Sequence, residues 1–195
     1  VNGVAYVVYG QQAQYEAEQS IASLLKHNDL PVKVITEYQF DVDQFRTDEQ
    51  KSRLAKVNLP RLVDFDKVLY LDADTRIKCD ITPGFDLLDN WDLAIAPSRN
   101  QGNDLFRHIQ NSDEKEQTLH ELGNFWPMQL QAGVMFFHRQ RCAKLFDEWA
   151  RQWNRWQGQD QAALLRALAI EPVRIWLLGR CWNGGEIVEH LFGKV

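Results

Sequence analysis

Cysteine is scarce in these 195 residues, and the three present, Cys79, Cys142 and Cys181, lie too far apart for any CxxC pair. That spacing argues against a zinc cluster, and the odd count gives no disulfide framework. The thiols read as reduced, as in a cytoplasmic protein. Positive charge is not in excess either: 22 Lys and Arg stand against 27 Asp and Glu, a formal net charge of −5. A general nucleic-acid binder needs a basic face to displace counterions from phosphates, so no nucleic-acid partner is expected. One small anionic ligand is still allowed, because a divalent cation neutralises a diphosphate locally whatever the sign of the whole surface. No apolar run approaches the ~20 residues of a membrane span, so no integral membrane segment is expected, and no signal-peptide pattern opens the chain. Internal repeats and low-complexity tracts are missing too. A strand-like opening and an abrupt end at Val195 are compatible with a longer native protein.

What remains has the balance of a globular chain, 45% hydrophobic and 25% charged, long enough to bury one continuous core. A single domain over 1–195 is expected. Val4 to Tyr9 (VAYVVY) reads as a buried strand ended by Gly10, and Ala17, Ile21, Leu24 and Leu25 recur at helical spacing between Tyr15 and His27. Val32 to Thr36 then reads as a second strand, which makes a parallel pair with a crossover helix. Gln50 to Val57 reads as a helix, Lys67 to Leu71 (KVLYL) as the strongest strand, and Trp91 to Ala96 and Gln131 to Phe137 as two more. A long helix carries Leu145, Phe146, Trp149, Trp153 and Trp156 at helical spacing, a stripe that reads as core. Gln161 to Leu168 is a shorter helix and Val173 to Leu178 a last strand. Strands alternating with helices predict an α/β layered fold. The polar stretch from Ser98 to Gly123 breaks the pattern and reads as one long irregular loop, a functional lid or a binding loop.

KVLYLDADT sets Asp72 and Asp74 at the carboxyl end of a buried strand, the edge where open α/β sheets bind ligands. Residues two apart on an extended chain point the same way, so both carboxylates can face one cavity. Two like charges so close are costly without a counter-charge. Magnesium or manganese, which take oxygen ligands and bind substrate phosphates, supply one. The plainer reading is a turn after a strand, since Asp is a common turn former. A third reading rests on Asp72, Ala73 and Asp74, which resemble the opening of the DxDx[TV] pattern of the haloacid-dehalogenase-like phosphatases, although Arg76 fills its last position. There the first Asp is a nucleophile and the second a general acid, but here a strand–helix–strand unit precedes the motif and no convincing GDxxxD follows.

Four blocks in order, NLPRLVDFDKVLYLDADTRI, QAGVMFF, DQAALL and the terminal HLFG, resemble the retaining GT-A-fold glycosyltransferases similar to glycogenin and to bacterial galactosyl- and glucosyltransferases (glycosyltransferase family 8). The resemblance implies a mixed, mostly parallel sheet flanked by helices, with a nucleotide-binding half over about 1–96 and an acceptor and sugar half over about 97–195. It implies transfer of a hexose from a nucleoside diphosphate sugar, a uridine diphosphate sugar foremost, to an unidentified hydroxyl acceptor with retention. It also implies that His190, far along the chain, joins Asp72 and Asp74 as the third ligand of Mn²⁺ or Mg²⁺; a neutral imidazole beside two carboxylates suits manganese. Lys56 falls where the family often has a basic residue contacting donor phosphate or sugar, and Arg53 lies one helical turn earlier. Asp160 is expected to bind sugar hydroxyls and Gln161 to lie near the reacting anomeric carbon; without the family, Asp160 is a good helix-start residue. In the QAG block Gln131 replaces the usual Asn, and Ala132 and Gly133 let the backbone approach the sugar. Tyr9, Gly10 and Tyr15 are candidates to receive the nucleotide base, and Gly193 and Lys194 to meet the diphosphate. Trp182 and Asn183 resemble a segment that borders the acceptor. His27, His108, His120 and His138 lack any such context. A catalytically idle sugar-nucleotide-binding module is the remaining alternative.

Overall fold

The apolar runs become strands because the sheet they form is covered on both faces. The computed structural model describes residues 1–40, 46–99, 106, 109–123 and 127–193. In it β1 (Asn2–Val7) is followed by α1 (Gln11–Leu25), β2 (Val32–Ile35), α2 (Asp48–Val57), a short α3 (Leu59–Leu62), β3 (Lys67–Leu71) and β4 (Thr75–Ile77). Next come α4 (Pro83–Asp86), β5 (Leu93–Pro97), α5 (Ser112–Leu122), β6 (Leu130–His138) and α6 (Ala143–Trp156). The order closes with α7 (Asp160–Ile170), β7 (Ile175–Leu177) and β8 (Val188–His190).

Six strands form one sheet in the order β2-β1-β3-β6-β5-β7. β1 runs parallel to β2 and β3, and β5 parallel to β7, while β6 lies antiparallel between β3 and β5. The expected mixed, mostly parallel sheet flanked by helices is what the chain builds. Alternate residues of each strand go to opposite faces. Ala5, Val7, Val68, Tyr70 and Phe137 join Trp149 and Trp153 of α6 on one side. Val4, Tyr6, Leu69, Leu71 and Phe136 join Ala13 and Ala17 of α1 on the other. The fully buried Val, Leu and Phe side chains among these each contribute about 1.5–3 kcal/mol.

β4 and β8 form a separate antiparallel pair, with Thr75 opposite His190. Their three-residue length leaves no periodic signature, which is why neither stands out in the sequence. The polar stretch 98–123 is not wholly irregular: α5 occupies Ser112–Leu122, started by Asn111, whose side chain accepts from the N–H groups of Asp113 (2.9 Å) and Glu114 (3.0 Å). Its inner face carries the polar Glu114 and Thr118, with Leu122 alone apolar at its end. Glu114 and Thr118 accept bonds from the buried Arg166 guanidinium at 2.9 and 2.7 Å. A helix that buries a charged network shows no apolar stripe, so periodicity could not find it. Among the described residues no helix is long and apolar enough to cross a membrane.

Candidate metal centre and active site

The chain leaves β3 at Leu71 and turns through Asp72, Ala73 and Asp74 into β4. The turn is pinned on three sides. The Asp72 N–H donates to the Gly133 carbonyl of β6 at 2.7 Å, the Thr75 hydroxyl donates to the Asp72 carbonyl at 2.9 Å, and the Tyr70 hydroxyl donates to Asp72 Oδ1 at 2.7 Å. Tyr70 sits two residues before Asp72 on the same strand face, so period two brings the phenol to the carboxylate. Burial raises the Tyr70 pKa well above its ordinary value and the Asp72 charge raises it further, against a smaller opposing pull from Lys56; the hydroxyl remains a donor.

The β4–β8 pairing carries His190 across the sequence gap, and the Leu191 N–H closes it with a bond to the Asp74 carbonyl at 2.9 Å. His190 Nε2 then lies 3.0 Å from Asp74 Oδ1 and 3.8 Å from Asp72 Oδ2. Asp74 and His190 are buried, and Asp72 is partly open. One ligand atom from each of the three lies within 4.8 Å of the others. Neighbouring ligands of an octahedral ion bonded at about 2.1 Å stand about 3 Å apart, so an oxygen-rich set of this spacing fits Mg²⁺ or Mn²⁺. Gly133 makes the room. A Cβ there would lie 2.4 Å from His190 Cε1 and 2.5 Å from Asp72 Oδ2. The residue expected to admit the sugar thus lies against the carboxylate and imidazole as well.

Lys56 projects from α2 between two acids: Nζ is 3.0 Å from Asp72 Oδ1 and 3.0 Å from Asp160 Oδ2. Burial lowers its pKa, but Asp160, Asp72 and Tyr70 outweigh that and hold it well above 10.5, so the ammonium stays charged. Asp160 opens α7, and the α6 indoles fix the segment before it. Trp149 Nε1 donates to the Asp160 carbonyl at 2.8 Å and Trp153 Nε1 to the Gly158 carbonyl at 3.0 Å. Trp149 and Trp153 are core, as their spacing predicts, and also a clamp, whereas Trp156 of the same stripe is only half-buried. Lys56, Tyr70, Asp72, Asp74, Gly133, Asp160 and His190 face a cavity of about 910 Å³, a size suited to a ligand larger than a single sugar.

Tyr9, Gly10, Lys56, Asp72, Ala73, Asp74, Gln131, Ala132, Gly133, Asp160, Gln161, His190 and Gly193 all line that cavity. Tyr9 is buried and its hydroxyl donates to the Phe40 carbonyl at 2.6 Å. Gly10 has φ +87°, and a Cβ there would meet Asp48 Oδ2 at 2.5 Å. Arg53 also reaches the wall, donating to the Gly158 carbonyl at 3.1 Å and pairing with Glu49. Gln161 Oε1 is a buried acceptor that finds no hydrogen-bond partner among the described residues. Tyr15 does not line the cavity; it stands on α1 at 58% exposure. Lys194 and His108 lie outside the described residues. His27 and His120 are exposed, and His138 is half-buried away from the cavity.

Three contributors escaped sequence reading. Tyr70 looked like strand core, though its place two residues from Asp72 was a usable signal. Phe192 stacks on His190 at 3.8 Å, and the Arg99 guanidinium lies over the Phe192 ring at 3.8 Å. Asn183, expected from the sequence to border the acceptor, also bonds the imidazole, with Oδ1 2.8 Å from His190 Nδ1.

A family model described as Glycosyl transferase family 8 matches residues 5–179. No match was found among curated proteins. Among solved structures the chain is similar to the WbbM bifunctional glycosyltransferase, at 18% identity and TM-score 0.68 over 95% of this chain and 41% of that one. It is similar to the glycosyltransferase GlyE of Streptococcus pneumoniae, at 19% identity and TM-score 0.59 over 94% of this chain and 46% of that one. It is also similar to the galactosyltransferase LgtC, solved with donor and acceptor sugar analogues, at 17% identity and TM-score 0.55 over 92% of this chain and 74% of that one. The chain therefore spans less than half the length of WbbM and GlyE. At these identities the likeness is one of fold, the GT-A arrangement.

Proposed function

Because the chain belongs to glycosyl transferase family 8, we propose that it moves a hexose from a nucleoside diphosphate sugar, a uridine diphosphate sugar foremost, to a hydroxyl acceptor with retention of anomeric configuration. The observation that carries this reading is the convergence of Asp72, Asp74 and His190 in the cavity, whose other cations among its described lining residues are Lys56 and Arg53 of α2 and the exposed Arg99. LgtC, solved with donor and acceptor analogues, supports a sugar donor and a sugar-type acceptor for this cavity. A phosphatase would use Asp72 as a nucleophile, yet Asp72 is engaged by Lys56 and Tyr70 and shares its pocket with His190.

Asp72, Asp74 and His190 hold the cation, Mn²⁺ or Mg²⁺, and Gly133 keeps the space they need. When bound, that ion supplies Lewis-acid neutralisation of the charge that builds on a departing diphosphate. Lys56 orients Asp72 and Asp160 by a shared ion pair and adds a fixed positive charge beside the leaving group, where it stabilises the transition state more than the ground state. Asp160, which lines the cavity beside Lys56, is in this reading the acceptor for sugar hydroxyls. The unpartnered Gln161 Oε1 suits a group that meets the anomeric centre, either as the attacking oxygen or as a dipole on the developing positive charge. In the second case the departing phosphate takes the acceptor's proton and no protein base is needed. Tyr9 and Gly10, at the head of α1, mark the end of the cavity for the nucleotide, with Gly193 on the diphosphate side.

Screening nucleotide sugars with and without Mn²⁺, measuring both binding and released nucleotide in wild type and Asp74→Asn, tests the reading. Metal-dependent nucleotide release from one donor, lost in the variant, is expected. Binding without any release would leave a sugar-nucleotide-binding module, and phosphate release from simple phosphoesters would restore the phosphatase.

A further inference from the structure

The imidazole of His190 is held at both nitrogens, and the polarity of its hydrogen bonds can be followed outward from a backbone group whose role is fixed. The Gly133 N–H can only donate, and the atom it meets at 2.6 Å is Gln131 Oε1. That oxygen is an acceptor, so the Asn183 amide atom 2.8 Å from it is the donor Nδ2. The other end of the Asn183 amide is therefore Oδ1, which faces His190 Nδ1 at 2.8 Å. An amide oxygen has only lone pairs to offer, so Nδ1 must carry the proton. Nε2 is then the ring nitrogen left for a cation shared with Asp74 and Asp72, which it faces.

We infer that Gln131 and Asn183 are positioning residues that lock His190 in the Nδ1–H tautomer and aim its Nε2 lone pair between the two aspartates. The inference deepens the metal site proposed above. Asn183 is 4% exposed and His190 6% exposed, so bulk water does not offer either amide or ring an easy substitute partner. Asn183 follows the one-turn helix Arg180–Trp182, and its Nδ2 also reaches the Gln131 carbonyl at 3.5 Å. The relay thus ties β6, which supplies Gly133 and Gln131, to β8, which supplies His190. Partners of this kind fix the tautomer of a ligating histidine, and their loss lowers metal affinity about 10–100-fold.

Long-range ¹H–¹⁵N correlation spectra of His190 in protein saturated with Mg²⁺, a diamagnetic ion, read the tautomer without any donor. Wild type is expected to show a pyrrole-like Nδ1 and a pyridine-like Nε2. Gln131→Glu keeps an acceptor oxygen facing Gly133 and Asn183 and should retain that pattern. Asn183→Leu removes the acceptor; the Nδ1–H preference should be lost and Mn²⁺ affinity by calorimetry should fall about 10–100-fold. A wild-type proton on Nε2 would overturn the inference, as would Asn183→Leu with unchanged tautomer and affinity, or Gln131→Glu with the proton moved to Nε2. The wild-type spectrum decides even if Asn183→Leu does not fold. Nδ1–H in a wild type that binds no Mn²⁺ would sustain the relay and sink the metal site.

Discussion

Gly133→Ala is a small change placed where the metal centre has no slack. The added Cβ would lie 2.4 Å from His190 Cε1, 2.5 Å from Asp72 Oδ2 and 2.8 Å from Gln131 Oε1. Carbon atoms in contact stand about 3.5–4.0 Å apart, so the ring must retreat by about 1 Å or β6 must shift. Metal ligands tolerate only about 0.2 Å of displacement. A retreat of that size takes Nε2 out of reach of an ion shared with the aspartates. Overpacking a filled site costs about 1–3 kcal/mol. At about 2–4 °C per kcal/mol for a chain of this length, the metal-free variant should melt about 2–12 °C lower. Its Mn²⁺ affinity should fall at least tenfold, and Mn²⁺ should raise its melting temperature less than it raises that of wild type. Calorimetric titration with Mn²⁺ and paired thermal melts read both. An alanine variant that binds Mn²⁺ as wild type does would refute the reasoning from space, whatever its stability.

Lys56→Met leaves the carboxylates of Asp72 and Asp160 without their shared cation, and breaking a buried pair in this way costs about 3–5 kcal/mol. Urea denaturation of metal-free protein should show that loss, and a change below about 1 kcal/mol would contradict it. Burial, with a smaller contribution from the Asp92 charge, pushes the Cys142 thiol up to about 12. Mass spectrometry after iodoacetamide treatment of folded protein near pH 8 should find Cys79 and Cys181, both partly exposed, alkylated and Cys142 spared. Asp92 is pushed upward by burial, but bonds from the Arg174 side chain and backbone and the charges of Arg174 and Arg141 hold its carboxyl below the ordinary 3.8. A carboxylate lowered in this way stabilises the fold fully above 3.8 and loses that contribution as pH falls through its folded value. Urea midpoints should drop from pH 7 to pH 3 more in wild type than in Asp92→Asn; equal drops would refute that.

The sheet was legible because it is buried on both sides: KVLYL had only one way to be satisfied, and β3 occupies the same five residues in the structure. Asp72 and Asp74 were legible from their place at that strand's end, and His190 through the order of the four blocks. Other parts were hidden for physical reasons. α5 turns Glu114 and Thr118 toward Arg166, so its burial is mostly polar and leaves no hydrophobic period. β4 and β8 are too short to alternate, yet they alone bring His190 to Asp74. The Gln131–Asn183 relay depends on the orientation of two amides from distant segments, and only folded geometry orders such a chain of bonds. Tyr15 shows the reverse case: an aromatic near the first strand's end suggested a base platform, but its place on the helix turns it to solvent.

An anomalous difference map from a crystal soaked with Mn²⁺ and uridine diphosphate, collected near the manganese edge, tests the metal centre most directly. One peak per chain is predicted, bonded by a carboxylate oxygen from each of Asp72 and Asp74 and by His190 Nε2. A peak elsewhere in the cavity, or bonding through the aspartates with the imidazole turned away, would contradict the account.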